Sequence, residues 1–218
     1  MSVNSLAMKP LLSLALALVA LAAGQAQGPG KPVALFDGRT FSGWEGDIKH
    51  TWRIQEGAIV GGSLTTQVPR NEFLTTTRSF GNFVLRVKFK LVGTEGFVNG
   101  GVQFRSRRLE KPAHEMIGYQ ADLGDKYWGS LYDESRRNKT LVAPEEKLIT
   151  EILKRGDWND YEIRAEGSRI RLSINGRQTI EYTEQDASIP RDGLIGLQVH
   201  GGGKAEAWYK DITIDELK

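Results

Sequence analysis

Six side chains of mixed donor and acceptor chemistry recur at alternate positions in three short segments: Gln103 and Arg105, Gln120 and Asp122, Gln198 and His200. Successive side chains of a β-strand point to opposite faces of the sheet. In Val102-Gln103-Phe104-Arg105 the apolar pair therefore takes one face, and Gln103 with Arg105 the other. Gln120 and Asp122 likewise oppose Ala121 and Leu123, and Gln198 and His200 oppose Leu197 and Val199. An outer sheet face is ordinarily polar because it is wet. Arg86, Lys88 and Lys90, and again Glu162, Arg164 and Glu166, read that way. The three-segment set contains no lysine and no glutamate and is rich in amides, which can both give and accept hydrogen bonds, as sugar hydroxyls require. Ligand pockets combine a few such groups with aromatic walls. Tyr127-Trp128 supplies rings close to the set, with Trp128 the candidate wall, and Trp44 is a further ring. Trp52, Trp158 and Trp208 are assigned to packing.

These residues need strands to carry them. Short alternating runs separated by turn residues recur along the chain, which holds 25 glycines and no long apolar pattern of helical period. That pattern predicts an all-β sandwich. Strands are expected over 83–91, 101–105, 119–123, 160–165, 169–174, 178–183, 194–199 and 205–214. Asn175-Gly176 between two of these runs predicts a tight hairpin, since both residues tolerate positive φ. A second hairpin is expected around Glu56-Gly57, and the stretches 107–117 and 133–157 read as long irregular insertions, the latter with a short helix near 145–152.

Before the domain, Lys9, the apolar run Leu11 to Ala23 and the small residues ending at Gln27 have the order of a secretory leader. The expected organisation is a signal peptide over 1–26, cut after Ala22 or Ala26, a linker over 27–32 and one domain over 33–218, placed in the periplasm or secreted. No membrane anchor is expected, since the leader is the one apolar run and is too short to span. The chain has no cysteine, so no disulfide or thiolate metal site is available. A formal net charge of +2 argues against nucleic acid or an acidic membrane as partner. His114-Glu115 lacks the second histidine of a zinc helix, because Gly118 stands at that spacing.

An ordered series of motifs resembles the 3-keto-disaccharide hydrolase domain family over 33–218. It comprises Leu35-Phe36-Asp37-Gly38, Trp52 to Gly61, Phe80-Gly81-Asn82-Phe83, Gly101 to Ser106, Gly118 to Asp122, Gly129 to Glu134, Asp157 to Glu162 and Gly193 to His200. The resemblance implies a concanavalin A-like jelly-roll β-sandwich of two antiparallel sheets, acting on glycosides whose C3 hydroxyl has been oxidised to a ketone. Where many relatives carry a glutamate, this chain has Gly118. A C3 ketone acidifies the C2 hydrogen, so a base can form an enediolate and the C1 substituent then leaves by elimination. On that chemistry His200 or Asp122 is the expected base. Arg105 is expected to stabilise the oxyanion with help from Gln103 or Gln120, a divalent cation being the alternative. Glu115 or Tyr132 is expected to protonate the leaving oxygen. Gln103, Gln120, Gln198, Trp128, Asp133 and Glu134 are expected to bind the carbohydrate. A non-catalytic sugar-binding module of the same fold is the competing reading, separated from the enzyme by whether titratable groups converge with Arg105 in one pocket, and a structural interaction domain, marked by an apolar exposed face, is a third.

Overall fold

The computed structural model describes Met1 and residues 32–218. Apart from Met1 and Pro32, the leader and linker expected over 1–32 lie outside the described residues. In chain order the strands are β1 (Val33–Ala34), β2 (Trp44–Glu45), β3 (Trp52–Gln55), β4 (Ala58–Ser63), β5 (Glu72–Thr76), β6 (Phe83–Gly96), β7 (Asn99–Arg108) and β8 (Met116–Gly124). There follow β9 (Leu131–Glu134), β10 (Lys139–Val142), the short helix α1 (Glu146–Ile152), β11 (Asn159–Glu166), β12 (Arg169–Ile174), β13 (Arg177–Thr183), β14 (Leu194–Val199) and β15 (Gly203–Glu216).

Two antiparallel sheets result. One runs β13-β12-β11-β6-β15-β4-β3 with β1 added beside β15, and the other runs β10-β9-β8-β7-β14-β5-β2. The period-two pattern explains why they face each other. Phe83, Leu85, Val87, Phe89 and Leu91 of β6 are buried while Arg86 is exposed and Lys88 and Lys90 are half-buried. The other sheet answers with Val102, Phe104, Tyr119, Ala121, Leu123, Ile195, Leu197 and Val199. Phe83 and Phe104 meet edge to face across the layers at 6.3 Å. Each such burial contributes about 1.5–3 kcal/mol, and with no cysteine in the chain this core carries the stability.

All the expected strands form, most of them longer at one or both ends. The Asn-Gly hairpin is also present, with φ of +50° at Asn175 and +78° at Gly176, and it joins Ile174 to Arg177 in register. The stretch 133–157 is less irregular than expected. It contains β10, which pairs back on β9, as well as α1. The hairpin tip is tied to its surroundings by the Asn175 side chain, which accepts from the Asp160 amide at 2.9 Å and donates to the Ile152 carbonyl at 2.7 Å. Replacing Asn175→Ala removes these bonds and puts a Cβ-only side chain at positive φ. The expected loss is about 1–2 kcal/mol of unfolding free energy. A urea midpoint unchanged within error would contradict this.

Candidate active site

The polar set lies on the face of the β10-to-β2 sheet that points away from the core. Two rows of cross-strand partners define it. Thr75, Gly196, Gln103, Gln120 and Tyr132 are successive neighbours across five strands. Phe73, Gln198, Gly101 and Asp122 form the adjacent row. This face is not a wet surface. Gln103 and Gln198 are fully buried, and Gln120, Asp122 and Ser106 nearly so. Gly101 makes the crowding feasible, because Gln120 lies across it where any Cβ would stand 2.7 Å from Gln120 Cγ.

Above this floor Phe97, Asn99, Gln120, Asp122, Tyr127, Tyr132, Glu134 and His200 enclose a small pocket. Asp122 Oδ1 accepts from Asn99 Nδ2 at 3.1 Å and from the Leu123 amide at 2.9 Å. Both donors are neutral, so they do not offset the loss of water. Burial pushes the Asp122 carboxyl up to about 8, with the neighbouring charge of Glu134 adding to it. Gln120 hydrogen-bonds the carboxyl as well, and with Oδ1 already engaged by two donors Oδ2 is the oxygen available to carry a proton. Burial, reinforced by the charge of Glu115, likewise raises Glu134 to about 7, against hydrogen bonds from Gln198 Nε2 at 3.4 Å and from the Ser135 backbone. Burial first, and Glu134 second, raise the Tyr132 phenol, keeping it a donor. His200 Nδ1 lies 2.7 Å from the Gly201 carbonyl, which can only accept. Nδ1 therefore donates, and Nε2 is the nitrogen left free for chemistry.

Several expected members stand elsewhere. Arg105 leaves the face because the β7–β8 ladder bulges between Phe104 and Arg107, with Arg105 at φ +47°. The extra residue shifts the alternation. Ser106 takes the place on the polar face and donates to Gln103 Oε1 at 2.7 Å. The buried Arg105 guanidinium instead donates to the carbonyls of Gly81 (3.0 Å) and Gly167 (2.7 Å) and to Asn82 Oδ1 (3.1 Å). It straps loops of the opposite sheet and cannot reach an oxyanion in the pocket. Trp128 is not a wall either. Its ring stacks on Phe89 in the core at 6.3 Å, with Nε1 held by Asp125 at 3.1 Å. Trp44 is buried too, donating to the Leu35 carbonyl at 2.7 Å. Asp133 projects to the core side of β9, opposite Tyr132 and Glu134, and is fully buried against Arg136 (2.8 Å) and Arg137 (3.3 Å). Glu115 does not line the pocket but borders it through Glu134, with Oε2 buried and unpartnered.

Asn99, Phe97 and Tyr127 complete the pocket. Continuing the alternation of β7 back from Gln103 through Gly101 reaches Asn99, so that residue was within reach of the sequence pattern. Phe97 lies in the β6–β7 turn, where no periodicity applies. Among the described residues no group of three or more His, Asp or Glu side chains is placed to hold one metal ion.

A sandwich of two antiparallel sheets with its polar groups gathered on the outer face of one is a jelly roll of the concanavalin A-like kind. Residues 31–215 match the family described as 3-keto-alpha-glucoside-1,2-lyase-like domain, and the chain belongs to that family. A 3-keto-disaccharide hydrolase of Bacteroides thetaiotaomicron is 21% identical over an alignment of 232 positions that covers 85% of this chain and 78% of that protein. Among solved structures, a candidate glycosyl hydrolase of Parabacteroides distasonis superposes with a TM-score of 0.62 at 20% identity, covering 86% of this chain and 94% of its own. The carbohydrate-binding module CBM66 of Bacillus subtilis gives 0.61 at 19% identity, covering 80% and 96% respectively. At these identities the structural matches establish the fold.

Two outcomes check the site's electrostatics and its frame. Asp122 binds its proton more tightly folded than unfolded, so its contribution to stability is fully present below about pH 4 and is lost as pH rises through about 8. Asp122→Asn, neutral at every pH, should therefore gain stability relative to the parent between these limits, as read from denaturant midpoints. A constant difference would contradict the buried, proton-holding carboxyl. Arg105→Met should cost about 2–4 kcal/mol, since it leaves buried acceptors without a donor. A loss below about 0.5 kcal/mol in the same assay would refute the strap.

Proposed function

We propose that the protein is an exported enzyme that cleaves 3-keto-glycosides by elimination across C1 and C2 followed by addition of water. The observation that carries this reading is the pairing of two desolvated carboxyls, Asp122 and Glu134, with a histidine whose Nε2 is free, in one pocket of an otherwise amide-lined face. A sugar-binding module needs amides and rings but has no use for carboxyls held protonated near neutrality. Perturbed titration of this kind gathers where proton transfer is done.

In this mechanism His200 Nε2 removes the C2 proton and the C3 carbonyl takes the electron pair as an enediolate. Asp122, neutral and with its proton on Oδ2, donates to that oxygen, and Gln120 lies beside it as a further donor. The work expected of Arg105 thus falls to neutral donors in a dry site, where they act strongly. The pair then returns to form the C1–C2 double bond, the C1–O bond breaks, and the leaving oxygen takes a proton from Glu134. Water added back at C1 gives the free 3-keto sugar. Asp122 is consequently an acid here and not the base, and Glu134 replaces Glu115 and Tyr132 as proton donor. No step is routed through a cation. Export follows from the leader read over 1–26 and would place the site in the periplasm or outside the cell.

Incubating the protein with a 3-keto-glucoside should release the aglycone together with the keto-glycal or its hydrate, identified by mass. Glu134→Gln should lower kcat by about 10²-fold or more. For the parent, kcat/KM should fall on the alkaline side as groups of about 7 and about 8 lose their protons. Sugar binding without turnover would favour the module instead.

A further inference from the structure

Phe97 is 40% exposed, and it is the one exposed Phe, Tyr or Trp among the described residues. It stands at the mouth of the pocket, perpendicular to the His200 ring at 4.6 Å and to the Tyr127 ring at 6.2 Å. Its backbone is fixed. The Phe97 amide donates to the Gly202 carbonyl at 3.2 Å, and a Cβ on Gly203 would collide with the Phe97 carbonyl. The glycine run after His200 thus seats the β6–β7 turn against the segment carrying the histidine, and the exposed ring is held in place beside it.

The polar partners of a sugar all lie deeper. Asn99, Gln120, Asp122 and Glu134 rise from the strands, whereas the mouth offers the rings of Phe97 and Tyr127 with the single Tyr127 hydroxyl; of the His200 nitrogens, Nδ1 is bonded to Gly201 and Nε2 is committed to the C2 proton. A leaving sugar would find few partners there for its hydroxyls. A flat apolar group would complete the edge-to-face cluster that the two rings and His200 begin.

We propose that Phe97 and Tyr127 form an aglycone subsite for aryl groups, so that the favoured substrates are 3-keto-glycosides with an aromatic leaving group. The inference rests on the reading of the pocket as a 3-keto-glycoside site. It places the aryl ring against Phe97 and the glycosidic oxygen between His200 and Glu134.

The test compares phenyl, methyl and disaccharide 3-keto-glucosides as substrates of the parent, Phe97→Ala and Phe97→Tyr. Phe97→Ala should reduce kcat/KM for the phenyl compound about tenfold more than for the methyl compound, and Phe97→Tyr should keep the preference. An equal fall for all three would mean that Phe97 only positions His200, and a larger fall for the disaccharide would mean a sugar subsite; either overturns the proposal. Binding is read separately by saturation-transfer NMR with phenyl β-glucoside, which needs no turnover. Saturation of the phenyl ring by the parent and its loss in Phe97→Ala support the subsite even if no 3-keto compound is cleaved, in which case the assignment of activity fails alone. No saturation by the parent overturns the subsite whatever the activity.

Discussion

A carboxyl group buried among amides, with no cation beside it, is the constraint on which the site depends. Asp122 receives hydrogen bonds from Asn99, Gln120 and the Leu123 amide, and the charge that acts on it is that of another carboxyl, Glu134. Had Arg105 remained on the face, its guanidinium would have paired with one of the two and drawn it back towards the ordinary carboxylate range. The bulge prevents this. By inserting one residue it sends the arginine to the carbonyls of Gly81 and Gly167 and leaves Ser106 beside Gln103. A single backbone irregularity thereby ties Arg105 to the loops of the opposite sheet and keeps its charge off the polar face.

The contrast with Glu184 shows the principle from the opposite side. Glu184 is engaged by Arg137 at 2.9 Å through each of its oxygens, and its pKa falls to about 2 despite partial burial. Asp133 is also held by two arginines, whose pull opposes the burial that raises its carboxyl. Adjacent residues of one strand, Asp133 and Glu134, thus differ in their partners, because alternation sends one to the arginine cluster and the other to the amide floor. Carboxyls of the first kind hold the fold together, and those of the second kind are available to exchange protons.

Alternation made most of the architecture legible in the sequence. It gave the strands, the inner faces and five of the six floor residues, and Asn-Gly at 175–176 placed a turn to the residue. It failed at Arg105, because a bulge is set by local backbone geometry and leaves the apolar pattern of Val102 and Phe104 intact. Trp128 was misplaced for a different reason: a ring at the end of a turn can swing to either side, and stacking on Phe89 decided it. Asp133 and Glu134 were read together although their side chains must diverge once Leu131–Glu134 is a strand. Phe97 carried no periodic signal at all, and only the packing of its turn on the glycines after His200 brings it to the pocket.

The account stands on the protonation of two carboxyls at neutral pH, and carbon-detected NMR titration of the aspartate and glutamate carboxyl carbons, assigned with Asp122→Asn and Glu134→Gln, measures it directly. The account predicts midpoints of about 8 for Asp122 and about 7 for Glu134. Midpoints of about 4 for both, the ordinary range for free carboxyls, would contradict it.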